Sequence, residues 1–484
     1  MQVAQAKEKG AYYTPLEVAS TLVRWAVRGA DDRMLDPSCG DGQFLALHPN
    51  AAGIEQDTSA VALAARRTNA RIYVGDFFEW ASHARERFEC AVGNPPFIRY
   101  QRFSGGVRER ALDLCAKQGV QFSSLTASWA PFLVGAASLL KPGGRLAFVV
   151  PAEIGHANYA APLIEYLARS FGKVHFVAIR ESVFPGLSQD VWLLFASGFG
   201  ESTQQIQLTR WSTFRPTERL PKPHVTISLS QWRQWSRRLR PFVLPNSTLH
   251  LYQRLSEHKK TFRIGNVARV GIGYVTGAND FFHLRPSVAK SLRIPERFLV
   301  PAVRNGRALP ARVVDRSTVS DWTERDDPFL LLRLRQGDAL PASVVRYLTS
   351  ASAKTAKTAY KCRSREPWYA VPDVTVPDGF LAYMSGSGPA LVANTARCAC
   401  TNSVHAVRMT NGYSLSEVQD AWRHPLTRLS TELEGHPLGG GLLKLEPREA
   451  SRILVPKPEF SMAGSELADL ESGISTLRKW RHYE

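Results

Sequence analysis

The first half of the sequence predicts an α/β fold, an open, doubly wound, Rossmann-like sheet. Three observations predict it. Short apolar runs that read as strands alternate with stretches of helical periodicity. A glycine-bearing turn, Cys39-Gly40-Asp41-Gly42, separates a strand from an apolar helix start. Three successive strands end in an acidic residue (Asp36, Glu55 and Asp76), and a fourth ends in Asn94-Pro95-Pro96-Phe97. In such sheets ligands bind outside the carboxyl ends of the strands, so all four endings fall where a site would be built.

The elements follow in order. Thr14-Pro15, with Leu16, Val18, Ala19, Leu22, Val23, Trp25, Ala26 and Val27 at helical spacing, predicts a helix capped by Thr14 with Pro15 as its first residue. Residues 33–36 and 51–55 read as strands, 58–68 as an amphipathic helix, and the stretch 71–78 as a third strand ending in Asp76. Residues 88–93 are a buried strand. A helix over 125–140, a turn at Lys141-Pro142-Gly143-Gly144, a strand over 145–151, a helix over 159–170 and strands over 174–179 and 191–196 complete the pattern. Between 201 and 245 the pattern loosens. Pro216, Pro221, Pro223, Pro241 and Pro245 interrupt it, and Arg233, Arg237, Arg238 and Arg240 cluster with Trp232 and Trp235, so this stretch reads as a junction. The expected domains are residues 1–240 and 241–484. The second mixes short strands, glycine turns and helices in the α+β manner.

Composition bounds the function. At 484 residues the chain is too long for one core, and 44% hydrophobic with 21% charged residues is ordinary for packed domains. The charge balance is not ordinary: 61 Lys and Arg against 43 Asp and Glu give +18, and a pI near 9.8. That is the footprint of a polyanion binder, although a basic surface also serves solubility. The six cysteines include no Cys-x-x-Cys, and Cys398-Ala-Cys400 has no matching pair, so neither a metal site nor a disulfide framework is expected. With no apolar leader and no 18-residue uncharged apolar run, the expectation is a soluble protein of a reducing compartment that does not engage membranes.

The strand-end residues carry the chemistry. The turn at Gly40 is neither a Gly-x-Gly-x-x-Gly fingerprint nor a Walker loop, so phosphate cradling does not explain it. An isolated acid at a strand end more often caps a helix. Three of them beside a glycine turn are better explained as a cradle for a nucleoside-containing cofactor without phosphates. In Asn94-Pro95-Pro96-Phe97 two prolines stiffen the turn and remove two N–H donors, Asn94 offers a side-chain oxygen, and Phe97 offers a flat face. A nucleobase amine could give one proton to Asn94 and one to the Pro95 carbonyl while its ring stacks on Phe97. Taken alone, the tetrapeptide reads equally as a rigid connection.

Tyr13-Thr14-Pro15, Asp36-Pro37-Ser38-Cys39-Gly40-Asp41-Gly42-Gln43-Phe44, Glu55, Asp76-Phe77 and Asn94-Pro95-Pro96-Phe97, in that order, resemble the gamma-class adenine-N6 DNA methyltransferases, the TaqI-methylase-like group. The resemblance covers about residues 10–200, and residues 241–484 resemble that group's target-recognition domains more loosely. It implies S-adenosyl-L-methionine as methyl donor and no metal. Thr14, Asp36, Ser38 and Gly40 would surround the methionine end, Glu55 would hold the ribose hydroxyls, Asp76 would accept from the adenine amine, and Phe77 would pack beside it. Tyr13, Gln56 and Asn94 would add cofactor contacts. Asn94, Pro95, Pro96 and Phe97 would be catalytic, and Phe97 and Phe184 would stack on the flipped base, with core packing an equal alternative for Phe184. Phe at 97, where the group often has Tyr, keeps the stacking face and gives up a hydroxyl. In the second half Lys361, Arg363 and Arg365, interleaved with Tyr360, Trp368 and Tyr369, would contact DNA. Implied partners are duplex DNA and a separate restriction endonuclease, since no acidic-pair plus Glu-x-Lys site is evident downstream. A monomer in the bacterial or archaeal cytoplasm, associated with the nucleoid, is expected. Rival readings keep the fold but change the acceptor to cytosine N4, RNA or a protein glutamine, or retain a catalytically idle DNA-binding subunit.

Overall fold

Helical spacing of Val18, Ala19, Leu22, Val23 and Ala26 gives the first helix, α1 (Leu16–Ala26), whose buried face is those residues. The computed structural model describes residues 14–184, 190–410 and 412–483. Thr14 does not cap α1. Pro15 is the N-cap and no side chain bonds the helix start, because the Thr14 hydroxyl is engaged elsewhere.

The strands and helices of the first unit, Met1–Val243, come in chain order. They are β1 (Met34–Asp36), β2 (Ala51–Glu55), α2 (Thr58–Arg67), β3 (Arg71–Val74), α3 (Phe77–His83), β4 (Phe88–Gly93), α4 (Gly105–Lys117), α5 (Trp129–Ser138), β5 (Leu140–Pro151), α6 (Ala161–Ser170), β6 (Phe171–Ile179) and β7 (Val191–Phe199). One expectation fails at β3, which stops at Val74. Gly75 at φ +150° breaks the ladder, and Asp76 caps a helix that begins with Phe77. A second fails at residues 201–245. Two further strands, β8 (Gln205–Trp211) and β9 (Val225–Ser228), extend the sheet, and Trp232, Arg238 and Arg240 are buried. Pro216, Pro221 and Pro223 are confined to the connection between β8 and β9.

The nine strands run in the order β3-β2-β1-β4-β5-β7-β6-β8-β9. β1, β2, β3, β4 and β5 pair in parallel, whereas β7 lies antiparallel between β5 and β6. Strand order reverses between β1 and β4, which are neighbours in the sheet. Their carboxyl ends therefore open on the crevice that doubly wound sheets use for ligands. Under α1 the sheet face is a core of Met34, Cys90, Val92, Ala147, Val149, Val177 and Leu193.

The second unit, Leu244–Glu484, is α+β. Its largest sheet takes Ala268–Ile272, Val404–Met409, Gly379–Ala382, Leu391–Asn394 and Val313–Val314 in that order. The helices Asn246–Ser256, Pro425–Glu434 and Gly464–Lys479 pack together. Past the last helix, Arg481 is buried against Glu432, with Arg481 Nε 2.9 Å from Glu432 Oε2. All six cysteines are buried and unbridged. Among the described residues no helix is long and apolar enough to cross a membrane.

Candidate active site

At the end of β1 Asp36 is fully buried. Its Oδ1 accepts from the Ser38 backbone N–H at 3.1 Å, and its Oδ2 has no hydrogen-bond partner among the described residues. The neighbouring Ser38 Oγ has none either. Burial, with Glu55 and Asp41 nearby, pushes the Asp36 carboxyl from its ordinary 3.8 up to about 8. An orphaned buried carboxylate oxygen costs free energy until a donor or a cation reaches it. The adjoining end of β4 is shaped to leave it in place: a Cβ on Gly93 would lie 2.9 Å from Asp36 Oδ1.

The turn after β1 is tied to β2. Gly40, at φ +51°, donates its N–H to Glu55 Oε2 at 2.9 Å, while the Asp57 N–H donates to Glu55 Oε1 at 2.8 Å. The end of β3 is tied down more fully. Asp76 Oδ1 accepts from the Glu79 N–H at 2.9 Å as the cap of α3 and from Arg110 Nε of α4 at 3.1 Å. Phe77 is buried and stacks on Phe132 of α5, with centroids 5.2 Å apart and planes 13° from parallel.

Beyond β4, Asn94 donates through Nδ2 to Thr14 Oγ1 at 3.2 Å. This bond links the segment ahead of α1 to the Asn-Pro-Pro-Phe turn, and it accounts for the absence of a Thr14 cap. Ser128, just before α5, holds the far side of the turn. Its Oγ accepts from the Ile98 N–H at 3.0 Å and donates to the Pro96 carbonyl.

These ends surround a cavity of about 630 Å³, within the size of small-molecule sites. Thr14, Ser38, Gly40, Glu55, Gln56, Asp76, Phe77, Asn94 and Pro96 line it, and Ile98, Phe103, Val107 and Phe132 form an apolar wall. The Glu55 and Asp76 carboxylates, the orphaned Ser38 hydroxyl and the apolar wall fit a cationic amino-acid end joined to a nucleoside, whereas Asp36 is fully buried and is not itself part of the lining.

Other expected residues lie elsewhere. Tyr13 is outside the described residues. Pro95 is buried and is not part of the lining. Phe184 is not brought to the cavity. It is 4% exposed within the core under α1, and the half-buried Phe97 packs against that same cluster. In the second unit Lys361 and Arg363 are exposed, with the Lys361 ammonium 5.7 Å from the Tyr360 ring centroid. Arg365 departs from its expected place on an open face. Its guanidinium turns inward to the Thr276 carbonyl at 2.8 Å and to that of Val275, because those turn carbonyls need donors. Trp368 likewise packs on Phe281, at 5.6 Å between centroids. Arg110, Ser128, Phe103 and Phe132 serve the site without any local sequence signal, since each reaches it only through tertiary packing.

Residues 236–481 match the model of the C-terminal domain of the type II methyltransferase M.Eco57I, and residues 52–184 match the Eco57I restriction-modification methylase. The type II methyltransferase M.XamI of Xanthomonas campestris pv. amaranthicola is 23% identical over 94% of this chain and 86% of its own length. M.AccI of Acinetobacter calcoaceticus is 19% identical over 99% and 89%. Among solved structures, the type IIL restriction-modification enzyme MmeI in complex with DNA aligns with a TM-score of 0.52 at 13% identity, covering 95% of this chain and 70% of that one. At that identity the likeness is one of fold.

Proposed function

The chain belongs to the Eco57I restriction-modification methylase family, and we propose that it methylates N6 of an adenine flipped out of duplex DNA, as a gamma-class, adenine-specific modification enzyme. The observation that carries the reading is the Asn94-Pro95-Pro96-Phe97 turn at the strand-order reversal, with Asn94 and Pro96 on the cavity wall and Asn94 bonded to Thr14. S-adenosyl-L-methionine is the cofactor, and when bound it supplies a methyl group already activated on a sulfonium.

The protein's part is positioning and electrostatics. Adenine N6 is a weak nucleophile because its lone pair is delocalised into the ring. Asn94 Oδ1 and the Pro95 carbonyl accept hydrogen bonds from its two N–H groups and stabilise the positive charge that grows on nitrogen as the methyl arrives, a charge lost when one of those protons leaves for solvent. With Nδ2 given to Thr14, the Asn94 amide carries its oxygen on the opposite side. The base must leave the helix to reach this point, and stacking on Phe97 offsets part of that cost, by about 1 to 3 kcal/mol. Asp36 and Ser38, with Thr14 and Gly40, hold the cationic end of the cofactor, Glu55 and Gln56 the ribose, and Asp76 and Phe77 the adenine. Residues 1–240 act as the methyltransferase domain. Residues 241–484 recognise the target, with Lys361 and Arg363 on phosphates. The enzyme works as a monomer in the cytoplasm, at the nucleoid, and leaves cleavage to a separate endonuclease.

The test is transfer of labelled methyl from S-adenosyl-L-methionine to unmethylated duplex DNA, followed by identification of the nucleoside and mapping of the sites. N6-methyladenine at one short motif is expected. N4-methylcytosine, or label that enters RNA or protein instead, overturns the reading.

A further inference from the structure

We propose that Ser128 is a positioning residue that sets the direction of the Phe97 Cα–Cβ bond, and with it the space its ring can occupy; the role rests on the reading above, in which Phe97 stacks on the target base. The Ser128 hydroxyl bonds both peptide groups that flank Phe97. Oγ donates to the Pro96 carbonyl, in the peptide before Phe97, and accepts from the Ile98 N–H at 3.0 Å, in the peptide after it. The Ser128 N–H adds a third bond, to the Ile98 carbonyl at 3.0 Å. Rotation about the two soft dihedrals of Phe97 requires one or the other of these peptide planes to turn. A single hydroxyl therefore fixes both angles, and with them where the Cβ of Phe97 points.

Ser128 is itself held still. It is 1% exposed and sits at the start of α5, whose next residue, Trp129, is fully buried. The Trp129 indole N–H donates to Glu153 Oε1 at 3.1 Å and to the Tyr159 hydroxyl at 2.9 Å, and the Tyr159 hydroxyl donates to the same carboxylate. Glu153 lies two residues past the end of β5. The turn after β4 is thus braced against the neighbouring strand end through α5. Proline supplies rigidity only up to residue 96, and the hydroxyl carries it past Phe97.

The experiment compares Ser128→Ala and Ser128→Thr with the wild-type chain. The readouts are kcat on DNA, the cofactor Kd, the melting temperature, and the fluorescence of 2-aminopurine placed at the adenine that wild-type protein modifies. Ser128→Ala is expected to lose on the order of tenfold in kcat, the scale of one or two hydrogen bonds, together with most of the 2-aminopurine signal change. Ser128 also lines the cavity, but the cofactor Kd of Ser128→Ala should change far less than kcat, by about twofold. Ser128→Thr, which keeps the hydroxyl, recovers both. Unchanged kcat and fluorescence in Ser128→Ala overturn the proposal. So does an equal loss of cofactor binding and melting temperature in both variants, which is what a merely structural residue would give. If wild-type protein transfers no methyl to DNA, the underlying reading fails, and the role of Phe97 with it.

Discussion

The ends of β1 and β3 carry the same residue type and treat it in opposite ways. Asp36 is fully buried, with Oδ2 unmet among the described residues. Asp76 caps α3 and pairs with Arg110 through one oxygen. An acid satisfied by its own chain stabilises the scaffold and presents a fixed edge to a ligand. An acid left unsatisfied is under electrostatic tension that a cation relieves. The difference teaches that the crevice between β1 and β4 holds an unmet charge, and its flank at β3 a fixed shape.

The sharpest way to break that comparison is at the crevice. Asn94→Ala removes an acceptor that the proposed mechanism uses as charge develops, and is expected to cost about 2 to 4 kcal/mol in transition-state stabilisation, about thirtyfold to nine-hundredfold in kcat, with a far smaller change in cofactor affinity. Single-turnover methylation checks it, and a wild-type rate would remove Asn94 from the chemistry. Asp36→Asn comes next. It keeps the shape and loses the charge, so cofactor affinity should weaken by about tenfold or more, the scale of a bond to a charged group, in an equilibrium titration.

The pH dependence sharpens the same point. The Asp36 carboxyl titrates near 8 in the folded chain and near 3.8 ordinarily, so across that window the folded protein holds a proton the unfolded chain has released. Its contribution to stability is complete below about pH 4 and is lost as pH rises to about 8. Thermal melts of the cofactor-free protein should show this slope, and Asp36→Asn should flatten it. The ratio of wild-type to Asp36→Asn cofactor affinity should rise with pH and level off above about 8, because below that a proton must leave for the cation to be met. The smallest effect is expected at the flank. Asp76→Ala loses a helix cap, about 1 kcal/mol of stability, together with a partly buried ion pair to Arg110 worth about the same again. A larger loss of cofactor affinity here than at Asp36 would invert the comparison.

The sequence made legible what local pattern controls. Alternation and apolar runs gave strands β1, β2, β4, β6 and β7, and strand endings gave the acids and the Asn-Pro-Pro-Phe turn. Phe77 reads as a continuation of strand because its apolar neighbours fit either period, and the break lies in the backbone of Gly75. β8 and β9 escaped because proline in their connection made the whole stretch look irregular, although prolines there leave both ladders intact. The interleaved segment around Arg365 could not disclose that its guanidinium turns inward, since composition carries no direction. Ser128 and Arg110 were invisible for the same reason: no pattern near them in the chain points to the loop they hold.

The bond from Asn94 to Thr14 crosses 80 positions of sequence. Thr14 stands immediately ahead of α1, which packs on β4 and β5, so the seating of that helix sets which way the Asn94 amide faces. A substitution in α1 that shifts the helix therefore bears on turnover as well as on stability, although it touches neither cofactor nor base.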